Sequence, residues 1–126
     1  MATATLGNLN LDPEMARLAP GDSSSGRRAE TLIKTDRLRV VLITMRTGAT
    51  LQEHIAQGPI TIQVLRGAFA VNLSGEEHVL STGGLIALAG ETPHAVRALD
   101  DGAFLLTLVW DPAWRGEAGG LGPQVS

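Results

Sequence analysis

The sequence predicts an all-β fold, a sandwich or barrel of antiparallel strands. Short apolar segments rich in β-branched residues recur between 28 and 110, and turns containing Gly, Asp or Ser separate them. No segment of this region sustains the 3.6-residue period of an amphipathic helix. The chain has 126 residues, 44% of them hydrophobic, which suffices for one domain with its own core but not for two.

The strands of this domain follow one another with little between them. RLRVVLITM is apolar on both faces, so we expect both faces of this strand to be covered. Because this strand and the apolar N-terminal residues exceed what one barrel can cover, we predict a homodimer. The other predicted strands are AETLIK, PITIQVL, AFAVNL, EEHVL, LIALA and FLLTLVW.

The N-terminal residues form a separate region. Leu6, Leu9 and Leu11 alternate with polar residues, a weak strand pattern, and the segment from Asp12 to Leu18 suits one or two helical turns with Asp12 as the N-cap. The C-terminal residues are rich in glycine and suit a mobile tail. The predicted regions are a partly extended N-terminal arm at 1–27, the barrel at 28–110 and a flexible C-terminal tail at 111–126.

Composition excludes several classes of function. The chain has no cysteine and no tyrosine, so it has no disulfide, thiolate ligand or phenolic acid. The net charge is −3 and no Lys/Arg cluster forms, which argues against nucleic-acid binding. No apolar run approaches the about 20 residues of a membrane helix, so no membrane association is expected. The N-terminus lacks the basic and apolar segments of a secretory signal, so we expect a cytoplasmic protein.

Gly48, His54 and Gly67 are followed along the chain by Gly83 and His94. The spacing of these five residues resembles the two-motif layout of the cupin superfamily. In the first motif of this family the second histidine position is Ala56 and the glutamate position is Ile60. The proline, glycine and asparagine of the second motif are also replaced here, by Ala89, Glu91 and Ala98. The matching positions are Gly48, His54 and Gly67 in the first motif, and Gly83 and His94 in the second.

This resemblance implies a jelly-roll β-barrel, usually dimeric, whose interior holds a metal through three histidines and a glutamate. Only His54 and His94 of that set are present. A divalent metal generally needs three or four protein donors, so the resemblance implies at most a weakly held divalent transition metal. Gln63, the polar residue of PITIQVL, alternates with Ile60 and Ile62 and is expected outside the barrel.

We therefore predict a pocket that binds a small, partly apolar molecule, with His54 and His94 as polar anchors and an apolar lining of Ile60, Ile62 and Val64. One alternative is a metal-dependent dioxygenase or isomerase with a reduced metal site. A second is a metal-free lyase or isomerase that uses the two histidines as acid and base. A third is a purely structural dimer.

Other polar and aromatic residues have simpler interpretations. His78 lies in a charged hairpin and is expected to be a solvated surface residue. Arg66 and Arg97 lie near the two motifs, where either could meet an anionic ligand at the barrel mouth, although surface ion pairs are the commoner use. Trp110 and Trp114 are expected to serve packing or an interface.

Overall fold

The structure, a computed structural model, describes residues 4–114, and this range folds into strands with one short α-helix and one 3₁₀ helix. The strands pair with antiparallel neighbours throughout. This confirms the all-β prediction. The elements are α1 (Leu11–Arg17), β1 (Arg27–Lys34), β2 (Leu38–Met45), β3 (Thr50–His54), β4 (Ile60–Arg66), β5 (Ala68–Leu73), β6 (Glu76–Ser81), β7 (Leu85–Leu88), β8 (His94–Ala98), β9 (Gly102–Val109) and the 3₁₀ helix η1 (Pro112–Trp114).

The strands form two sheets that face each other. One sheet has five strands in the order β1-β2-β9-β4-β7, and the other has four in the order β3-β8-β5-β6. From β2 onwards the chain crosses to the other sheet after every strand except β5, as in a jelly roll. Among residues 4–114 no strand pairing joins one sheet to the other, so the predicted barrel is a two-sheet sandwich without full closure.

One hydrogen bond and the positions of the strand ends show how the two sheets meet. The Arg27 Nη1 donates to the Thr50 carbonyl at 3.2 Å, which places the β1 edge of one sheet against β3 of the other. Several chain reversals lie at one end of the sandwich, because β3, β7 and β9 end there while β2, β4 and β8 begin there. We call this end, with its turns 35–37, 55–59 and 89–93, the upper end.

The space between the sheets is filled by alternating side chains. Phe69 and Phe104 meet edge to face across it, with ring centroids 5.0 Å apart. Gln63 is exposed, as the strand alternation predicts, whereas its neighbours Ile62 and Val64 point inwards. The main buried cluster comprises Val41, Ile43, Met45, Leu51, Ala56, Ile60, Ile62, Val64, Phe69, Val71, Leu88, Val96, Ala98, Phe104, Leu106 and Leu108.

Helix α1 covers the outer face of the five-stranded sheet. Met15 and Leu18 are buried there with Leu42 and Ala103 in a second apolar cluster. The Thr44 hydroxyl donates to the Leu18 carbonyl at 2.6 Å and ties the end of the helix to the sheet. The outer apolar face of β2 is thus covered within the chain. This removes one argument for a second subunit, and the homodimer stays a proposal.

The N-terminal arm differs from the expectation in detail. The helix begins at Leu11 after the N-cap Asn10, so Asp12 lies inside the first turn and is not the N-cap. Its carboxylate still suits that position because the N-terminus of a helix favours negative charge. No strand forms within residues 4–10. With seven residues, the α-helix found in the described range is too short to cross a membrane.

The first residues of the predicted C-terminal tail form a short helix. Pro112–Trp114 form η1, whose Trp114 N–H donates to the Asp111 carbonyl at 2.9 Å. The Trp114 ring packs against Gly58, where an added Cβ would lie 2.8 Å from it. The expected packing role of this tryptophan is therefore seen within the chain. The remainder of the tail, 115–126, lies outside the described residues.

Candidate functional site

Strands β3 and β8 bring the two predicted histidines together at the upper end. His54 is the last residue of β3, His94 is the first residue of β8, and the two are register partners. A β-bulge between Leu51 and His54 lets both side chains face inwards although they are three positions apart. Plain alternation from Leu51 would have directed Glu53 inwards and His54 outwards. The bulge therefore creates the site.

The two imidazoles are in contact and almost fully buried. Their ring centroids lie 4.3 Å apart with a tilt of 59° between the planes, and the residues are 7% and 2% exposed. Each Nδ1 lies 2.9 Å from a backbone carbonyl two residues earlier, that of Gln52 for His54 and that of Thr92 for His94. A carbonyl only accepts, so both Nδ1 atoms are the donors and the tautomer of each ring is fixed.

This tautomer leaves the Nε2 lone pair of each neutral ring free. Neither Nε2 has a hydrogen-bond partner within residues 4–114, and neither is fully shielded from solvent. Two adjacent hydrogen-bond acceptors therefore remain without a donor in an otherwise apolar region. Because solvent reaches both atoms, water or a ligand can donate to them.

Burial also affects the charge of the site. Desolvation lowers the pKa of His94, and the neighbouring His54 ring lowers it further. The hydrogen bond to the Thr92 carbonyl and the charge of Glu53 act in the opposite direction but do not outweigh burial. His94 is therefore a neutral acceptor at pH 7.

The residues of the site do not fit a tightly held metal. Two imidazoles with hydrogen-bonded Nδ1 atoms have the orientation of metal ligands. However, no group of three or more His, Cys, Asp or Glu side chains able to hold a metal occurs in the described range. Ala56 and Ile60, at the positions of the missing family ligands, are buried and apolar. Glu53 is exposed and does not complete the set.

The predicted apolar lining faces inwards below the histidines. Ile60 pairs with Leu88 on one side and Leu108 on the other, so these side chains share the inner face at the upper end. Ile62 and Val64 follow at the next inward positions, and each is 1% exposed. These two belong to the packed core. Ile60 is the one member of the predicted lining in the row nearest to the upper end.

Arg39 is a residue of this end that sequence analysis missed. Its register partner is Leu108, so its side chain shares the inner face with the apolar row. Its guanidinium lies over the Trp110 ring, 4.5 Å from the centroid, and its Nη1 donates to the Thr35 carbonyl. The inward position of Arg39 could have been predicted from the sequence, because Arg39 shares the strand alternation of the inward-facing Val41 and Ile43.

The two arginines considered for the mouth lie elsewhere. Arg66 is at the lower end of β4, and its Nη2 is 3.5 Å from the Asp12 carboxylate. Arg97 is exposed and pairs with Glu77 at 3.1 Å. Both therefore form surface ion pairs, the commoner use, and their strand positions direct them away from the upper end.

His78 is half-buried on the edge strand β6. Its Nε2 lies 2.8 Å from a Glu76 carboxylate oxygen. This contact lies at a partly exposed edge, remote in the strand order from β3. His78 thus differs from the histidine pair both in exposure and in having an acidic partner.

Solved structures similar to this chain share its fold. An RmlC-like cupin from Shewanella frigidimarina is 23% identical with a TM-score of 0.65, covering 70% of this chain and 79% of that chain. KdgF from a Halomonas species is 28% identical with a TM-score of 0.59, covering 65% and 76%. A point mutant of salicylate 1,2-dioxygenase from Pseudoaminobacter salicylatoxidans is 17% identical with a TM-score of 0.75, covering 90% of this chain and 38% of that chain.

Sequence comparison assigns the family. No curated protein matches the chain. The family profile described as the cupin domain matches residues 41–110, more than half of the chain, including both histidines. The two facing antiparallel sheets and the similar solved structures agree with this match. The chain therefore belongs to the cupin domain family.

Proposed function

We propose that this cupin binds a small, partly apolar molecule at the upper end of the sandwich through His54 and His94. The observation that carries this proposal is the pair of unpartnered Nε2 atoms on two buried rings in contact. A donor group of the ligand would satisfy them, and the neighbouring Ile60 and Leu108 would contact its apolar part.

The same observation argues against a purely structural role. A histidine that only stabilises a fold usually has both ring nitrogens hydrogen-bonded within the chain. Here the backbone satisfies one nitrogen of each ring in the same way and leaves the other open. This arrangement suits a ligand that is bound and released.

A metal-free lyase or isomerase is the second candidate function. It is supported by the lowered pKa of His94, which keeps this imidazole neutral and able to accept a proton at pH 7. Either Nε2 could take a proton from a bound substrate. The metal-dependent alternatives receive less support because Ala56 and Ile60 offer no donor atom.

We also propose that the protein is a homodimer. Support comes from exposed apolar side chains on the outermost strands of both sheets. Val79 on β6 and Leu85 on β7 are each 62% exposed. Sheet edges with such side chains favour association with another chain.

The experiment that tests the binding proposal is native mass spectrometry of the tag-free protein together with elemental analysis of its metals. We expect a co-purifying small molecule, or uptake of one from a metabolite extract. We expect far less than stoichiometric metal, because two imidazoles alone hold a divalent ion weakly. His54→Gln and His94→Gln should lose the small molecule.

The matched control is His78→Gln, which removes the remaining histidine of the chain. It should retain the small molecule, because His78 contacts Glu76 on β6 and both residues lie outside β3 and β8. Stoichiometric metal that is lost in both site variants would contradict the proposal and favour a metal-dependent enzyme.

A further inference from the structure

We propose that the ligand of this cupin is a small hydroxycarboxylic acid, with Arg39 holding its carboxylate and one imidazole of the histidine pair accepting the hydrogen bond of its hydroxyl group. This inference rests on the proposed binding function and adds the chemical class of the ligand. Three features support it: the position of Arg39, its lack of a counter-charge, and the acceptor state of the imidazoles.

Arg39 lies at the same end of the sandwich as the histidines. Strand β2 begins at the upper end, and Arg39 is its second residue. The register sets Arg39, Leu108 and Ile60 side by side in one row on the inner face. The β1 edge of this sheet lies against β3, so β2, next to β1, is on the side of the sandwich that carries His54.

No carboxylate within residues 4–114 compensates the charge of Arg39. Within residues 4–114 it forms no ion pair, whereas Arg17, Arg66 and Arg97 each contact a carboxylate. A half-buried cation without a counter-charge is costly. A bound anion would supply that charge at this position.

The guanidinium is held in a fixed orientation. One face lies over the Trp110 ring and Nη1 donates to the Thr35 carbonyl. Nε and Nη2 have no partner in the part of the chain that the structure describes. The planar edge of a guanidinium matches a carboxylate, and fixing it beforehand reduces the entropy lost on binding.

The histidines define the other end of the ligand. In both rings Nδ1 donates to a backbone carbonyl and Nε2 is left as the acceptor, so the group held there must donate a hydrogen bond. Facing sheets pack about 10 Å apart, which sets the scale of the distance between Arg39 and the pair. A molecule with a carboxylate and a hydroxyl at opposite ends of a short apolar body fits these conditions.

Three matched probes test the proposal: 4-hydroxybenzoate, its uncharged amide 4-hydroxybenzamide, and benzoate without the hydroxyl. Ring ¹⁵N signals of the full-length protein report contact with His54 and His94, and titration gives each Kd. We expect 4-hydroxybenzoate to shift both ring signals. It should also bind about tenfold tighter than either analogue, because each analogue lacks one charge-assisted or buried hydrogen bond.

Variants at Arg39 and Arg97 locate the charge. Arg39→Gln should abolish the preference for 4-hydroxybenzoate over the amide, while Arg97→Gln, the same charge change on an arginine paired with Glu77, should retain it. If Arg39→Gln does not fold, Arg39→Lys serves in its place, because it keeps the positive charge. It should keep the preference for the anion, reduced by loss of the planar fork.

The outcomes separate this inference from the proposed function. Equal binding of acid and amide, with both shifting the ring signals, would overturn the carboxylate assignment and leave the histidine site standing. An acid preference that persists in Arg39→Gln would overturn the role of Arg39. If no probe shifts either ring, the hydroxyacid assignment falls. Inorganic phosphate competing as strongly as 4-hydroxybenzoate would overturn the carboxylate in favour of another anion.

Discussion

The imidazoles of His54 and His94 lie 4.3 Å apart, and each donates from Nδ1 to the carbonyl of the residue two positions earlier. The two strands thus supply the same local hydrogen bond on both sides of the pair. This duplication fixes both tautomers by backbone geometry alone. The open Nε2 atoms follow from it.

Restoring the two missing donors should create a metal site. In Ala56→His with Ile60→Glu, two buried inward positions regain an imidazole and a carboxylate beside the existing pair. We expect Ni²⁺ or Zn²⁺ to bind at least about 100-fold tighter than in the wild type, measured by isothermal titration calorimetry, because the donor number rises from two to four.

The control for this gain is the same double variant with His94→Gln, which should lose most of the added affinity. A carboxylate at position 60 enters an apolar environment, which is costly. Circular dichroism therefore checks that the double variant keeps its fold. Unchanged metal affinity in a folded double variant would mean that the four positions do not converge.

The stability of the metal-free protein should depend on His94 below neutral pH. The folded-state pKa of His94 is lowered from its ordinary value of 6.5, so the unfolded chain binds this proton more readily. The contribution of the neutral ring is therefore complete above pH 6.5 and is lost as the pH falls from there through the folded pKa. Urea unfolding with a chelator present, at pH 8 and at pH 5.5, measures it.

His94→Gln isolates this effect from the titration of the carboxylates. The loss of stability between pH 8 and pH 5.5 should be smaller in His94→Gln than in the wild type, and unchanged in His78→Gln. Equal losses in all three proteins would show that burial does not perturb His94.

Gly90 and Gly58 allow the turns at the upper end to approach closely. A Cβ at Gly90 would lie 2.3 Å from the Gln57 carbonyl oxygen, whereas one at Gly58 would meet the Trp114 ring at 2.8 Å. Backbone cannot yield as a side chain can. Gly90→Ala should therefore cost about 1–3 kcal/mol of the free energy of unfolding, and more than Gly58→Ala.

Chemical denaturation measures both glycine variants. Gly58→Ala combined with Trp114→Leu should recover part of the stability lost in Gly58→Ala, because leucine is smaller than tryptophan and leaves room for the added Cβ. The close approach of the turns 55–59 and 89–93 would be refuted by a Gly90→Ala protein as stable as the wild type.

The proposed homodimer predicts a specific response to charge at the exposed sheet edges. Sedimentation velocity should show a dimer of the wild type at micromolar concentration and a monomer of the Val79→Lys, Leu85→Lys variant. Both side chains are exposed, so the lysines should leave the circular dichroism and the unfolding midpoint nearly unchanged. A wild-type monomer at micromolar concentration would contradict the dimer.

The all-β fold class could be predicted from the sequence, and His54 and His94 could be singled out in it. Strand alternation correctly placed Ile60, Ile62 and Val64 inside and Gln63 outside, because the side-chain period of a strand is local. The spacing of glycines and histidines indicated the cupin family, which the profile match confirmed. The sequence also showed directly that Ala56 and Ile60 carry no metal-donor atom.

Tertiary structure decided what surrounds these residues. The bulge that turns His54 inwards depends on pairing with β8, and local alternation would have placed it outside. The helix over Leu42 and the position of Arg39 beside Leu108 depend on packing between segments far apart in the chain. A local pattern fixes the direction of a side chain relative to its own strand, but only the pairing and packing of the sheets set its neighbours.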